Sequence, residues 1–362
     1  VIKGPRVLAL TGEEDGCTLW RVWLPFAELE HRGYAAWWCS KDDPRLGTSE
    51  WTYLAATRLE AVILPRLSWQ DQRYARAFID SLHRTDLAVI YDLDDDLLSP
   101  QIEARLHATL QQSKTLERLE QDRRDRIAAV RLCDGVITSS ETLAEVVNQY
   151  TDVPVEVVPN AIDVAWFRRV LRGSPRAVPP LTIGWAGGTR YAEDLLPVAE
   201  AWATIARTRP HVNFVIQGFV TPELAQAVPA ERLYVIPWMR AADYPRGLKN
   251  VDIACCSVAP SHFNRCKTPI KLWEFTLAGA VSVVSPTLYG PVVAPEQDAL
   301  VAETAAEWTD ALLELVDDCE LRRRLWKAQR RRVATEHALS TNVLEWPRAW
   351  SRIIQCYRQV AA

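Results

Sequence analysis

No run of about 18 consecutive apolar residues occurs in this chain, which excludes an ordinary membrane-spanning helix. Eight cysteines are present (Cys17, Cys39, Cys133, Cys255, Cys256, Cys266, Cys319 and Cys356), but none forms a C-x-x-C pair. In a chain of this length they read as reduced, mostly buried thiols of a cytosolic protein. G-x-x-x-x-G-K-[ST], H-E-x-x-H and G-x-S-x-G are all absent, which removes the usual supports for kinase, zinc-protease and serine-hydrolase readings. There is no basic surplus either. The formal net charge is −4 and the pI is about 6.0, the opposite of what non-specific phosphate binding favours, so nucleic acid is not an expected partner. Short-period repeats and low-complexity tracts are missing. The start, Val1-Ile2-Lys3-Gly4-Pro5-Arg6, does not read as a signal peptide, and a cytoplasmic location is expected.

What is there is ordinary globular composition, 48% apolar and 24% charged over 362 residues. That is too long for one hydrophobic core and fits two α/β domains. In the first half, short apolar strands are expected at Val7–Leu10, Ala35–Cys39, Glu60–Leu64, Ala88–Tyr91, Gly135–Thr138 and Val155–Val158. The loop Thr11–Gly16 follows the first strand, then a helix from Leu19 to Gly33. Strands alternating with helices imply a parallel sheet with crossovers. The charge-rich stretch 102–132 reads as one or two solvated helices covering this domain; an acceptor-side lid or membrane-surface element is the other reading.

Segment 173–180, rich in Gly and Pro, has the composition of a linker and of a hinge. The pattern then restarts, with strands expected at Leu181–Trp185, Asn213–Gln217, Leu233–Ile236, Ile253–Cys256 and Val281–Val284 and a helix at Leu195–Ala206. From about Ala306 to the end the chain reads as helical, with a break near Pro347. The predicted division is an acceptor domain over 1–172, a donor domain over 181–340, and a final helix over 341–362 that returns to the first domain.

Four segments in order carry a resemblance. They are Cys133-Asp-Gly-Val-Ile-Thr-Ser-Ser140; Val155-Glu-Val-Val-Pro-Asn-Ala-Ile-Asp163 followed by Phe167; Ile183-Gly-Trp-Ala-Gly-Gly-Thr189; and the run from Lys267-Thr-Pro-Ile-Lys-Leu-Trp-Glu274 to Ser285. Together they resemble the retaining glycosyltransferases of the two-Rossmann-domain (GT-B) class, in particular family 4. The likeness is good over about 130–335 and loose before that. It implies an α/β fold of two Rossmann-like domains facing each other across a cleft. It also implies transfer of a hexose from a nucleoside diphosphate sugar, with UDP or GDP as the expected carrier, to a hydroxyl of a glycan, lipid or small molecule. Retention at the anomeric carbon and independence of metal follow from it, with no cofactor beyond the donor substrate.

Such a reaction needs positive charge or helix-terminal amides near the leaving phosphate. Asn264-Arg265-Cys266-Lys267-Thr268-Pro269-Ile270-Lys271 offers both. Pro269 suits a first helical turn, and Lys267 and Lys271, four apart, share a face if the helix has begun. Surface lysines at a helix start are the plain alternative. By resemblance, Glu274 accepts bonds from the ribose diol. The family has a second glutamate, contacting sugar hydroxyls, where this chain has Cys266; sugar recognition is then expected from Asn264, Arg265 or His262, with Cys266 either a contact or a buried thiol. Gly187, Gly188, Thr189 and Arg190 are expected to form a phosphate loop, with Asp194 capping the following helix or holding that loop.

In the first half, Gly12 and Gly16 are expected to let substrate approach. Arg21 either contacts an anion or pairs with Glu14 or Glu28. Asp92 and Asp94 are read as active-site wall or acceptor contacts, with a metal-holding Asp-x-Asp as the alternative. Asp95 and Asp96 are read as acids at a helix N-terminus. Glu296 is placed in a cleft-lining loop. Three rivals stay open: a sugar-nucleotide epimerase, a catalytically impaired sugar-nucleotide-binding subunit, and a transferase acting on modified nucleic-acid bases.

Overall fold

The short apolar runs become two six-stranded sheets in the computed structural model, with every strand pairing in them parallel. The structure describes residues 3–12, 16–44, 48, 58–66, 72–100, 115–167, 173–188, 192–220, 222–240 and 243–361. They fall into two compact units. One comprises Val1–Ala161, Cys266–Thr268 and Leu339–Ala362; the other comprises Ile162–Arg265 and Pro269–Ala338.

In the first unit the strands are β1 (Lys3–Thr11), β2 (Tyr34–Ser40), β3 (Ala61–Pro65), β4 (Ala88–Leu93), β5 (Gly135–Thr138) and β6 (Val155–Val157). Their order is β2-β1-β3-β4-β5-β6. Because helices cover both faces, the central strands are apolar on both sides rather than alternating. Leu8, Val62, Val89 and Val136 face one layer with Ile79, Leu82 and Val130. Val7, Ala9, Ile63 and Ile90 face the other, with Phe26, Leu29, Trp346, Trp350 and Ile353. The final helix, Glu345–Ala361, is therefore part of this unit's core. Its Ile353 lies so close to β5 that a side chain on Gly135 would come within 2.6 Å of it.

The helix Leu116–Leu132 packs Leu119, Ile127 and Val130 inward, so this part of the charge-rich stretch covers the sheet. Thr115 caps it by accepting from the Arg118 amide; residues 101–114 lie outside the described set. The predicted helix after β1 begins instead with a turn, Gly16–Thr18, and a π-helical stretch, Leu19–Trp23, before Leu24–His31.

The second unit holds β7 (Leu181–Gly187), β8 (Val212–Gly218), β9 (Leu233–Ile236), β10 (Ile253–Cys256), β11 (Val281–Val284) and the short β12 (Leu300–Val301), which the sequence reading does not include. Their order is β12-β11-β10-β7-β8-β9. The strand order thus reverses at β7, which lies between β8 and β10. Trp202 of helix Ala192–Thr208 and Trp308 of helix Ala305–Asp317 fill the core on one face.

Two expectations are corrected. The chain enters the second unit at Ile162, not at 173–180: the Ile162 amide donates to the His337 carbonyl at 2.8 Å and Phe167 is fully buried. Segment 173–180 is tied to its own unit, since Asp252 accepts from the amides of Arg176 and Thr182, each at 2.9 Å. Buried Arg322 also donates to the carbonyls of Arg176 and Ala177. It is not a free linker. Nor does the C-terminal stretch break at Pro347, which sits in the first turn of the last helix, where its missing N–H costs nothing. The breaks fall at Asp318, which caps the next helix, and around 337–338 and 343–344.

Candidate active site

In open parallel sheets, ligands bind beyond the carboxyl ends of the strands where the strand order reverses. In the second unit that point is the end of β7. Gly187 closes the strand and Gly188 follows. Gly218, at the end of β8, has φ +101°, and a side chain there would lie 2.2 Å from the Gly187 carbonyl oxygen, so only glycine fits. The Phe219 amide donates to that same oxygen at 3.0 Å. The two strand ends are thereby locked together. Thr189 and Arg190, also predicted for this loop, lie outside the described residues.

The helix Ile270–Ala278 follows β10 in the chain and carries the predicted nucleotide-binding pair. Pro269 is its N-cap, not a residue of its first turn. The helix therefore starts too late for Lys267 and Lys271 to share a face. Lys271 alone belongs to it. Its ammonium donates to Glu274 Oε2 at 2.9 Å and to Tyr244 Oη at 2.5 Å. Glu274 is 2% exposed. Burial pushes its carboxyl above the ordinary range, against the opposing pull of Lys271 and Tyr244. Tyr244 was not singled out from sequence. It is held by Gln217 at the end of β8, whose Nε2 donates to the Tyr244 carbonyl at 2.7 Å.

Asn264 and Asp194 prove to be framework. Asn264 is fully buried and donates from Nδ2 to Asp194 Oδ1 at 2.9 Å and to the Ala259 carbonyl at 3.0 Å. Asp194 also accepts from the Ala259 amide at 2.7 Å. It therefore fastens the loop after β10 rather than capping its own helix. Arg265 and His262 are exposed in the single turn His262–Arg265. Glu296 is exposed at φ 63° in a tight turn; its amide donates to the Ala299 carbonyl and its own carbonyl accepts from Arg324.

Cys266 and Lys267 belong to the first unit. Cys266 is fully exposed to none of the solvent: its thiol packs in the first unit's core, and its carbonyl accepts from Ser140 Oγ at 2.8 Å. It is thus no sugar contact. Lys267 Nζ pairs with Asp95 at 2.8 Å, so the helix-face role expected for it with Lys271 is not realised.

The acidic cluster after β4 is split. Asp92 is a core residue, 1% exposed, paired with Arg21 Nη2 at 2.6 Å and with its Nε at 3.1 and 3.2 Å. Neither Asp92 as an active-site wall nor Arg21 as a partner of Glu28 holds; Glu28 pairs with Arg32 instead, and Glu14 lies outside the described residues. Burial pushes the Asp92 carboxyl upward and Arg21 opposes it. Asp94 lies 3.4 Å from Arg66, which also donates to Cys17 Sγ. Asp94, Asp95 and Cys17 offer ligand atoms within 4.8 Å of one another, but with the Arg66 cation already against them the set suits a metal poorly. Asp96 accepts from the amides of Leu98 and Ser99, so it serves a turn and not a helix start. Among the described residues, Gly12 and Gly16 meet no backbone: a side chain on Gly12 would touch Lys41, and one on Gly16 would meet nothing within 4 Å.

Residues 184–346 match the model of a family described as glycosyl transferase-like. No curated protein matches the chain. Among solved structures, the chain is similar to HepE of Anabaena in complex with UDP, at 13% identity over 97% of this chain and 100% of that one, with a TM-score of 0.64. It is similar to the sucrose-phosphate synthase of Thermosynechococcus elongatus, at 14% identity over 98% and 100%, TM-score 0.67. A glycosyltransferase of Rickettsia africae ESF-5 is similar at 10% identity over 98% and 99%, TM-score 0.61.

Proposed function

We propose, from the GT-B fold that the chain shares with HepE and sucrose-phosphate synthase and from the match of residues 184–346 to a family described as glycosyl transferase-like, that it moves a hexose from a nucleoside diphosphate sugar to a hydroxyl acceptor. The observation that carries the reading is the Lys271–Glu274 pair. It puts a cation and a buried carboxylate on the helix that follows β10, next to the point of strand reversal. In this reading Glu274 accepts both hydroxyls of a ribose, a role its acceptor-only oxygens suit. Lys271 and the amides beside Gly187 and Gly188 oppose the charge that grows on the leaving phosphate. UDP and GDP are the proposed carriers; HepE in complex with UDP and with UDP-glucose supports the first.

The mechanism we assign is retaining and independent of metal, as in family 4, with the departing phosphate taking the acceptor proton. No further cofactor enters it. A screen for donor hydrolysis with UDP-, GDP-, ADP- and dTDP-sugars, in excess chelator, tests this. Release of one nucleoside diphosphate that falls with Glu274→Ala is expected. Release only after metal is added overturns the metal-independent mechanism.

A second reading is favoured by one observation: Cys266, where family 4 has a sugar-contacting glutamate, is turned into the core. A sugar-nucleotide-binding subunit without transferase activity would tolerate that change. Nucleotide binding with no turnover of any donor would establish it in place of the enzyme.

A further inference from the structure

Trp238 is the most exposed tryptophan among the described residues, at 69%. It follows β9, yet its indole lies over the ends of the two neighbouring strands. The six-membered ring comes within 3.6 Å of where a side-chain carbon would sit on Gly188 and within 3.6 Å of the same point on Gly218. One part of the ring thus rests on two glycines, and the rest faces solvent. The segment that bears it is anchored by Gln217, whose Nε2 bonds the Tyr244 carbonyl at 2.7 Å and approaches Met239 Sδ at 3.6 Å.

An indole fixed in place and left open to water forfeits the burial that usually stabilises tryptophan. A ligand with a flat face would restore it. Building on the function proposed above, the parts of a nucleoside diphosphate sugar divide by chemistry. Its phosphates suit the glycine amides and Lys271, and its diol suits Glu274. The part with a π-face and little charge is the base.

We propose that Trp238 is the stacking platform for the nucleobase of the donor. Stacking needs a π-face and little hydrogen-bond readout. The platform therefore contributes affinity for nucleotides as a class, and the choice among bases falls to other groups.

The test is calorimetric titration of the full chain with UDP, GDP, ADP, UDP-glucose and ribose 5′-diphosphate, the last of which lacks a base. Wild type, Trp238→Ala and Trp238→Phe are compared, with matched thermal melts. Trp238→Ala is expected to weaken UDP and UDP-glucose alike, by about tenfold or more, and to leave ribose 5′-diphosphate unchanged. Trp238→Phe keeps a π-face and is expected to stay within about threefold of wild type. Equal losses for UDP and the base-free compound would make Trp238 a structural prop and overturn the proposal. A loss confined to UDP-glucose would place the hexose on the ring and overturn it too. If wild type binds UDP and Trp238→Ala binds it equally well, this inference fails and the function above stands. If wild type binds none of UDP, GDP and ADP, both fail.

Discussion

Arg21 and Asp92 form an ion pair joined by three hydrogen bonds from two guanidinium nitrogens, in which each side chain is 1% exposed. The remaining guanidinium nitrogen donates to the Val158 carbonyl at 2.6 Å and to Asn160 Oδ1 at 3.0 Å, and the cation lies 4.4 Å from the centre of the Trp346 ring. One arginine therefore ties β4, the end of β6 and the final helix into a single core.

Removing one partner leaves the other charge buried and unpaired. Arg21→Ala is expected to lower unfolding free energy by about 3–5 kcal/mol, read as a shifted urea midpoint. Arg21→Met with Asp92→Leu should recover most of that. Asp92→Asn should reduce stability while the folded fraction keeps its donor-hydrolysis rate; a lost rate at full stability would return Asp92 to the active site.

Glu274 gives a pH signature. Its carboxyl is raised by burial, and the proposed bond to ribose needs the ionised form. Nucleotide affinity should fall on acidification at a pH above the ordinary glutamate value of about 4.3. Glu274→Gln should bind more weakly and lose that pH dependence. Titration calorimetry across pH measures both.

His83 gives a second pH signature, in stability. Its Nε2 meets Asp134 Oδ2 at 3.0 Å, and that bond raises its pKa above the free value. The folded state thus holds the proton more tightly than the unfolded chain. This stabilisation is complete below about pH 6.5 and is lost as pH rises through the raised folded value. The melting temperature of wild type should decline over that window relative to His83→Gln. Parallel curves would show that the pair contributes nothing.

Glycines of similar appearance in the sequence should behave differently. Gly218→Ala meets both a positive φ and the Gly187 carbonyl at 2.2 Å, and a loss of more than about 1–3 kcal/mol is expected. Gly16→Ala, in a helical turn with open space around it, should be neutral or stabilising by about 0.4–1 kcal/mol. Thermal melts of the two variants decide the matter.

Putting the family's glutamate back should also fail. Cys266→Glu would place a carboxylate in an apolar core, where ionisation is heavily penalised. Poor folding is expected rather than a gain in donor turnover.

Strands were legible because a strand buried on both faces leaves an unbroken apolar run. Gly135–Thr138, Ile253–Cys256 and Val281–Val284, buried along their whole length, are found with the expected bounds; the edge strand Leu233–Ile236 matches too, although its Tyr234 and Val235 are exposed. Side-chain direction was not legible. Asp92, Asp94, Asp95 and Asp96 are near neighbours in sequence, yet one pairs in the core, two meet cations at its margin and one closes a turn. Nothing local to the tetrad distinguishes Arg21, distant in sequence, as the partner of the first. Lys267 misled for a related reason. A four-residue spacing implies a shared face only inside a helix, and here the helix starts at Ile270. Tyr244 and Trp238 lie between recognisable segments and depend on contacts with Gln217, Gly188 and Gly218 that spacing does not reveal.

The first unit's core takes Trp346, Trp350 and Ile353 from the last stretch of the chain. During synthesis these residues leave the ribosome after the whole second unit has been made. Val1–Ala161 must therefore wait, with the part of its sheet that Trp346, Trp350 and Ile353 cover still open, while Ile162–Ala338 is completed. The unit translated second is the one that can finish folding first.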